Sequence, residues 1–295
     1  MTLLLRRALL ASALAALAFA GTARAQNPMV RVHTTAGPID MSLLAAEAPR
    51  TVANFLAYVR GGDYTDVFFH RNAWLATMPP VPFVIQSGGY RWPEGTCCPT
   101  VASRGAIANE FSAARSNVVG TVAMAKIGGD PDSATSQCFI NMRDNAANLD
   151  TQNGGFTVFA RVTAPTLATA SRIAALQPVN APPFTELPVT GWQSGTPIQR
   201  HNVVRITAVT EFPAQQSASD RIFNYLEAMY PQYTVPSQGV SGEALGYLFR
   251  HYGGSDVYVG TKDGKVWYLT PAQAGSPGEL GTVADWLAAA QAAGY

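Results

Sequence analysis

Between residues 30 and 209 the sequence passes through a succession of short apolar runs, at 30–34, 39–43, 67–70, 83–86, 118–125, 138–142, 156–162 and 203–209, separated by loops rich in Gly, Asn and Asp. Runs of this length, some of them alternating, read as strands. Ala36-Gly37-Pro38 punctuates the first two into a hairpin. Only two stretches break the pattern with helical spacing. In 48–62, Pro49 stands near the start, Gly61 lies just past the end, and Val52, Phe55, Leu56 and Val59 form one apolar face. In 166–176, Leu167, Ala170, Ile173 and Ala174 share a side. Many strands with two helices point to a mainly β fold, a closed antiparallel barrel with helices covering its ends.

The pattern changes after residue 212. Residues 213–219 read as a linker, and 220–295 as a small α+β domain. Its first helix, 220–229, places Ile222, Phe223, Leu226 and Met229 inward, with Ser219 as cap. Residues 257–259 and 266–269 form a hairpin around Asp263-Gly264. A final helix, 282–293, has Thr282 as cap and Val283, Trp286, Leu287 and Ala290 on one face. The Tyr and Trp residues of this segment supply either its own core or a binding face for an unidentified partner.

At the other end, Arg6 and Arg7 precede a short apolar core, 8–20, and Ala23-Arg24-Ala25 supplies a small-x-small cleavage site. Residues 1–25 therefore read as a signal peptide, and the protein as exported, either periplasmic or secreted. The apolar core falls short of the ~20 residues a membrane span needs, so no membrane insertion is expected after cleavage. The formal net charge is +1, which excludes the basic footprint of a nucleic-acid binder. The four histidines, His33, His70, His201 and His251, and the three cysteines lack zinc-ligand spacing, so no metal is expected. Cys138 reads as a buried strand residue. A bridge between the neighbours Cys97 and Cys98 is strained, and one of the pair could bond elsewhere.

Several blocks, in order, resemble the cyclophilin family between residues 28 and 212. They are Phe68-Phe69-His70-Arg71, Phe83-Val84-Ile85-Gln86-Ser87-Gly88-Gly89, Ile107-Ala108-Asn109-Glu110-Phe111, Gly120-Thr121-Val122-Ala123-Met124-Ala125, Ser136-Gln137-Cys138-Phe139-Ile140-Asn141, Leu149-Asp150 and Val158-Phe159-Ala160-Arg161-Val162. The resemblance implies an eight-stranded barrel capped by two helices, with a peptide groove on its outer surface and no cofactor. It implies peptidyl-prolyl cis–trans isomerase activity on proline-containing polypeptides. Arg71 and Gln86 fall at the catalytic positions. Phe83, Val84, Ala125, Gln137, Phe139, Asn148, Leu149 and Phe156 fall where the family binds substrate. His70 is expected to be structural, because rotation about an amide needs no acid or base.

The sequence departs from the family at four places. Asn148 stands where a large aromatic is usual, so the groove is expected to be more open and polar there and to bind cyclosporin-like macrocycles weakly. Val84 replaces a methionine, and Cys138 an aromatic. Residues 74–82 are an insertion that could form a flap over the groove, form a rigid loop, or displace Arg71. A groove altered in this way also suits a peptide-binding, chaperone-like module with little turnover.

Overall fold

The computed structural model describes residues 27–295 apart from 215, 237 and 274; the expected signal peptide lies outside the described residues. Ten strands precede residue 212. They are β1 (Met29–Thr34), β2 (Gly37–Leu43), β3 (Arg71–Leu75), β4 (Val81–Ser87), β5 (Thr121–Met124), β6 (Cys138–Asn141), β7 (Val158–Val162), β8 (Pro178–Ala181), β9 (Phe184–Pro188) and β10 (Ile206–Glu211). Eight of them form one antiparallel sheet in the order β10-β1-β2-β7-β5-β6-β4-β3, while β8 and β9 form a separate hairpin. The sheet curls until its two edges meet. Residues 67–70, expected to be a strand, instead supply this seam. Phe68 bridges Arg205, the Phe69 N–H donates to the Val204 carbonyl at 3.0 Å, and the Ile206 N–H donates to that of Val67 at 2.6 Å. Closure removes the exposed edges an open sheet would carry.

Two helices cover the barrel, α1 (Pro49–Arg60) and, after the single-turn α2 (Ala146–Leu149), α3 (Ala164–Ala174). Val52, Phe55, Leu56 and Val59 of α1 are buried, as are Ala170, Ile173 and Ala174 of α3. They pack with Val32, Met41, Ile85, Val122, Ile140 and Phe159 in one core.

Beyond the barrel, α4 (Ala218–Met229) and α5 (Val283–Ala292) cover one face of a five-stranded antiparallel sheet, β11 (Val240–Ala244), β12 (Tyr247–Tyr252), β13 (Val257–Lys262), β14 (Lys265–Leu269) and β15 (Gly278–Thr282). Asp263 and Gly264, at φ 50° and 72°, make the turn between β13 and β14, the left-handed pair that a two-residue hairpin loop requires. The cap of α4 is Ser217, not Ser219. The Ser217 hydroxyl accepts from the Asp220 N–H at 3.0 Å, and the Asp220 carboxylate accepts from the Ser217 N–H at 3.1 Å. Ser219 instead bonds Thr261. Met229, expected inward, is the last residue of α4 and is exposed.

A buried ionic cluster joins this region to the barrel. Arg31 on β1 and Asp40 on β2 are 1% and 0% exposed. Arg31 donates to both Asp40 oxygens at 2.7 Å, to Glu227 on α4 and to the Asn224 carbonyl at 3.0 Å. From the other side Glu227 accepts from Arg250 at 3.0 Å and from the Tyr252 hydroxyl at 2.9 Å, while the Tyr295 hydroxyl donates to Asp40. Burial opposes the charged form of Arg31, but Asp40 and Glu227 outweigh it and hold the guanidinium ionised. Met29, Ala228, Ala290 and Tyr295 pack beside the cluster. Removing one partner of such a cluster strands a buried charge, at a cost of roughly 3–5 kcal/mol. Glu227→Ala should therefore lower the full chain's unfolding free energy by about that much in a urea titration. A loss under about 1 kcal/mol, the worth of an exposed pair, would show that the cluster does not hold the two parts together.

Candidate active site

Strand alternation decides which side chains reach the barrel's outer surface. Ile85, Ile140 and Val122 point into the core. Their neighbours Gln86, Phe139 and Ala123 therefore point out, and the pairings Arg71↔Gln86, Gln86↔Phe139 and Ala123↔Phe139 set them in one row across β3, β4, β6 and β5. Val84, Ala73, Ala123, Phe139, Leu149 and Val158 form a second, outer apolar cluster with Phe83, Ala125 and Phe156 packed against it.

This row lines a groove of about 280 Å³ whose walls are Arg71, Phe83, Val84, Gln86, Ala125, Lys126, Phe139, Leu149, Gln152 and Phe156. Eight of these ten are residues that the sequence assigned to the site. The Phe139 and Phe156 rings meet nearly edge to face, 5.6 Å apart, and Leu149 is buried beneath. Gln137 stands behind the lining. Its side-chain oxygen accepts from Gln86 Nε2 at 2.8 Å, which turns the Gln86 oxygen towards Arg71, where Nη1 approaches at 3.5 Å, the outer limit of a hydrogen bond. Arg71 Nε donates to Glu186 at 2.6 Å. Nη2 has no protein partner among the described residues.

Asn148 does not line the groove. It is exposed, and its side-chain oxygen accepts from Gln152, so Gln152 fills that end of the site. The insertion does not displace Arg71, which stays in register with Gln86. Residues 74–75 and 81–82 lengthen the β3–β4 hairpin instead, with a bulge between Ala73 and Trp74. Lys126, Gln152 and Glu186 were not marked in the sequence. Lys126 directly follows the Gly120–Ala125 block, and adjacency to it was the available signal. Its ammonium lies 4.7 Å from the Phe156 ring centroid and donates to the carbonyls of Asn153 and Gly155 at 2.8 and 2.6 Å. Gly155, at φ 73°, lies so close to Phe111 that a Cβ would fall 2.4 Å from its ring, so only glycine lets Phe156 turn into the groove here.

His70, beside Arg71, is 7% exposed. Its ring packs edge-on against Tyr90, 5.0 Å away. Cys138 faces the inner core, where burial pushes its thiol up to about 12. Cys138 is a free thiol, and Cys97 and Cys98 are paired with each other. Among the described residues no group of three or more His, Cys, Asp or Glu side chains could hold a metal, and no helix is long and apolar enough to cross a membrane.

The family described as "Cyclophilin type peptidyl-prolyl cis-trans isomerase/CLD" matches residues 29–194, more than half of the chain. The chain belongs to this family. Among its cyclophilin relatives, a peptidyl-prolyl cis-trans isomerase of Streptomyces antibioticus is 45% identical over 138 residues, covering 45% of this chain and 76% of that protein. Peptidyl-prolyl cis-trans isomerase A of Dickeya dadantii is 33% identical over 172 residues, covering 58% and 82%. Peptidyl-prolyl cis-trans isomerase B of Escherichia coli is 37% identical over 140 residues, covering 45% and 77%. The cyclophilin match ends at residue 194, short of α4 and the five-stranded sheet.

Burial first, then the neighbouring Arg71 charge, lower the His70 pKa to about 4. An unfolded histidine titrates near 6.5. His70 is thus neutral when folded, and the unfolded chain binds its proton first as pH falls. The stability this provides is complete above about pH 6.5 and is lost as pH falls towards 4, by on the order of 3 kcal/mol. His70→Gln should flatten that part of the profile when urea midpoints are compared at pH 7 and pH 4. Parallel profiles for wild type and variant would show that other groups set the acid limb.

Proposed function

We propose that this protein accelerates cis–trans isomerisation of X–Pro bonds in exported polypeptides as they fold. An unaided X–Pro bond isomerises in tens to hundreds of seconds, over a barrier of about 18–20 kcal/mol that is loss of amide resonance. In the twisted state the proline nitrogen becomes pyramidal and gains a lone pair. A donor fixed where that lone pair develops stabilises the twisted state and not the planar ones.

The observation that carries this reading is the Arg71 guanidinium, held at the edge of the groove by Gln86 and Glu186 and with Nη2 unpartnered among the described residues. In this mechanism Nη2 donates to the proline nitrogen. Arginine stays protonated at any physiological pH, so the donor is always present. Phe139, Leu149 and Phe156 hold the prolyl ring, and by excluding water they strengthen the charge's effect. Gln86 fixes Arg71 and accepts from the substrate backbone, while Phe83, Val84 and Ala125 line the path of the flanking residues.

The export part of the proposal rests on the Arg6-Arg7 pair, the apolar core and the Ala23-Arg24-Ala25 site. The mature chain recovered from the exported fraction should begin at Gln26 by intact mass. Arg71→Ala, checked for native far-ultraviolet circular dichroism, should lose about 100-fold in kcat/KM on an Ala-Pro peptide followed by NMR exchange, the size of effect seen when a preorganised donor is removed. An inactive but folded wild type would move the function to peptide binding without turnover.

A further inference from the structure

The β8–β9 hairpin lies outside the eight-stranded sheet, yet it is built onto the same corner of the barrel as Arg71. Two buried contacts put it there. Asn72, the residue after Arg71, sends its amide to the carbonyls of Ala174 and Leu176 at 3.1 and 2.7 Å. It thereby satisfies carbonyls that the end of α3 would leave unpaired and fixes the chain just before β8. Phe184 and Leu187 of β9 then sink into an aromatic cluster with Phe68 and Tyr90, the Phe184 ring lying 5.4 Å from Phe68 and 4.9 Å from Tyr90. Between Phe184 and Leu187, Glu186 takes the Arg71 Nε–H at 2.6 Å.

From this geometry we infer that Glu186 is a positioning residue for isomerisation, acting through Arg71; the inference rests on the groove reading above. A guanidinium at the end of a flexible stem has a wide choice of orientations. A bond at Nε, with Gln86 3.5 Å from Nη1, restricts its plane and leaves Nη2 without a protein bond among the described residues. The pair is 43% and 33% exposed, and exposed pairs contribute little to stability. Its location therefore points to orientation and not to holding the fold. A bond at Nε, unlike one at the tip, does not compete with the donor that the substrate needs.

The test is a cycle of Glu186→Ala, Glu186→Gln, Arg71→Ala and the double variant Glu186→Ala/Arg71→Ala. It is read by kcat and KM from NMR exchange on an Ala-Pro peptide, by thermal midpoint, and by the Arg71 Nε–H proton signal, assigned by its loss in Arg71→Ala. The expected results are a roughly tenfold fall in kcat for Glu186→Ala with little change in KM or thermal midpoint, a loss within the range for misoriented catalytic groups. The Nε–H signal should shift and exchange faster with solvent. Glu186→Gln, which keeps an acceptor, should retain at least half the activity, and Glu186→Ala should have no effect in the Arg71→Ala background. Full or raised activity in Glu186→Ala, or an equal loss in the Arg71→Ala background, overturns the positioning role while the groove reading stands. Arg71→Ala as active as wild type overturns both.

Discussion

The period of two along a β-strand is the constraint on which the rest of this structure depends. Once the sheet closes, every strand has one face in the core and one on the outside. Ile85 and Ile140 are needed inside, so Gln86 and Phe139 are forced outside, and the pairing of β3, β4 and β6 brings Arg71 alongside them. The groove is thus a by-product of how the core is filled. A slip of one residue in β4 would turn Gln86 inward and Ile85 outward, costing both the core and the site together. The site is built on rigid strands that the barrel already needs, and the loops contribute mainly the far wall, through Lys126, Gln152 and Phe156.

The buried ionic cluster raises a different question, because a buried ion pair is a poor way to gain stability. Arg31 and Asp40 pair on adjacent strands and are completed by Glu227, Tyr252 and Tyr295 from beyond residue 212. Without those partners a charged pair on β1 and β2 would face solvent, which is tolerable. With them it is sealed from water and admits only one arrangement of donors and acceptors. Such a cluster selects a single docking of the five-stranded region onto the barrel, where the apolar contacts of Met29, Ala228 and Ala290 alone would accept several. The docking is at β1 and β2, through Arg31, Asp40, Glu227, Tyr252 and Tyr295, none of which lines the groove.

How far this was legible in the sequence follows from the range of each signal. Helix α1 was legible to within a residue, since Pro49, Gly61 and the Val52–Phe55–Leu56–Val59 face are local features. The groove residues on β4 and β6 were legible because they sit in contiguous blocks that resemble the cyclophilin family. The role of 67–70 was misread: an apolar run that makes single bridges at a seam has the same composition as one that makes a ladder. Strands β11, β12 and β15 were missed. Val240-Ser241-Gly242-Glu243-Ala244 and Gly278-Glu279-Leu280-Gly281-Thr282 are too polar and glycine-rich to mark a strand alone, and their strand character comes from pairing with a neighbour. Arg31 and Asp40 alternate as surface residues do, and only partners some 190 or more residues away reveal them as buried.

Glu186 illustrates the same limit at the site itself. In the sequence it sits among prolines in a stretch with no helical or strand period, 115 residues from Arg71. Its position is set by two side chains that look unremarkable alone, Asn72 closing the end of α3 and Phe184 filling a gap beside Phe68. A mobile guanidinium has to lose orientational freedom before it can favour one geometry of the proline nitrogen over another. That loss is cheaper if it is taken during folding than at each encounter with substrate. Anchoring the acceptor for Nε on a hairpin outside the sheet, held by the buried Phe184 and Leu187, takes it during folding and leaves Nη2 without a protein bond among the described residues.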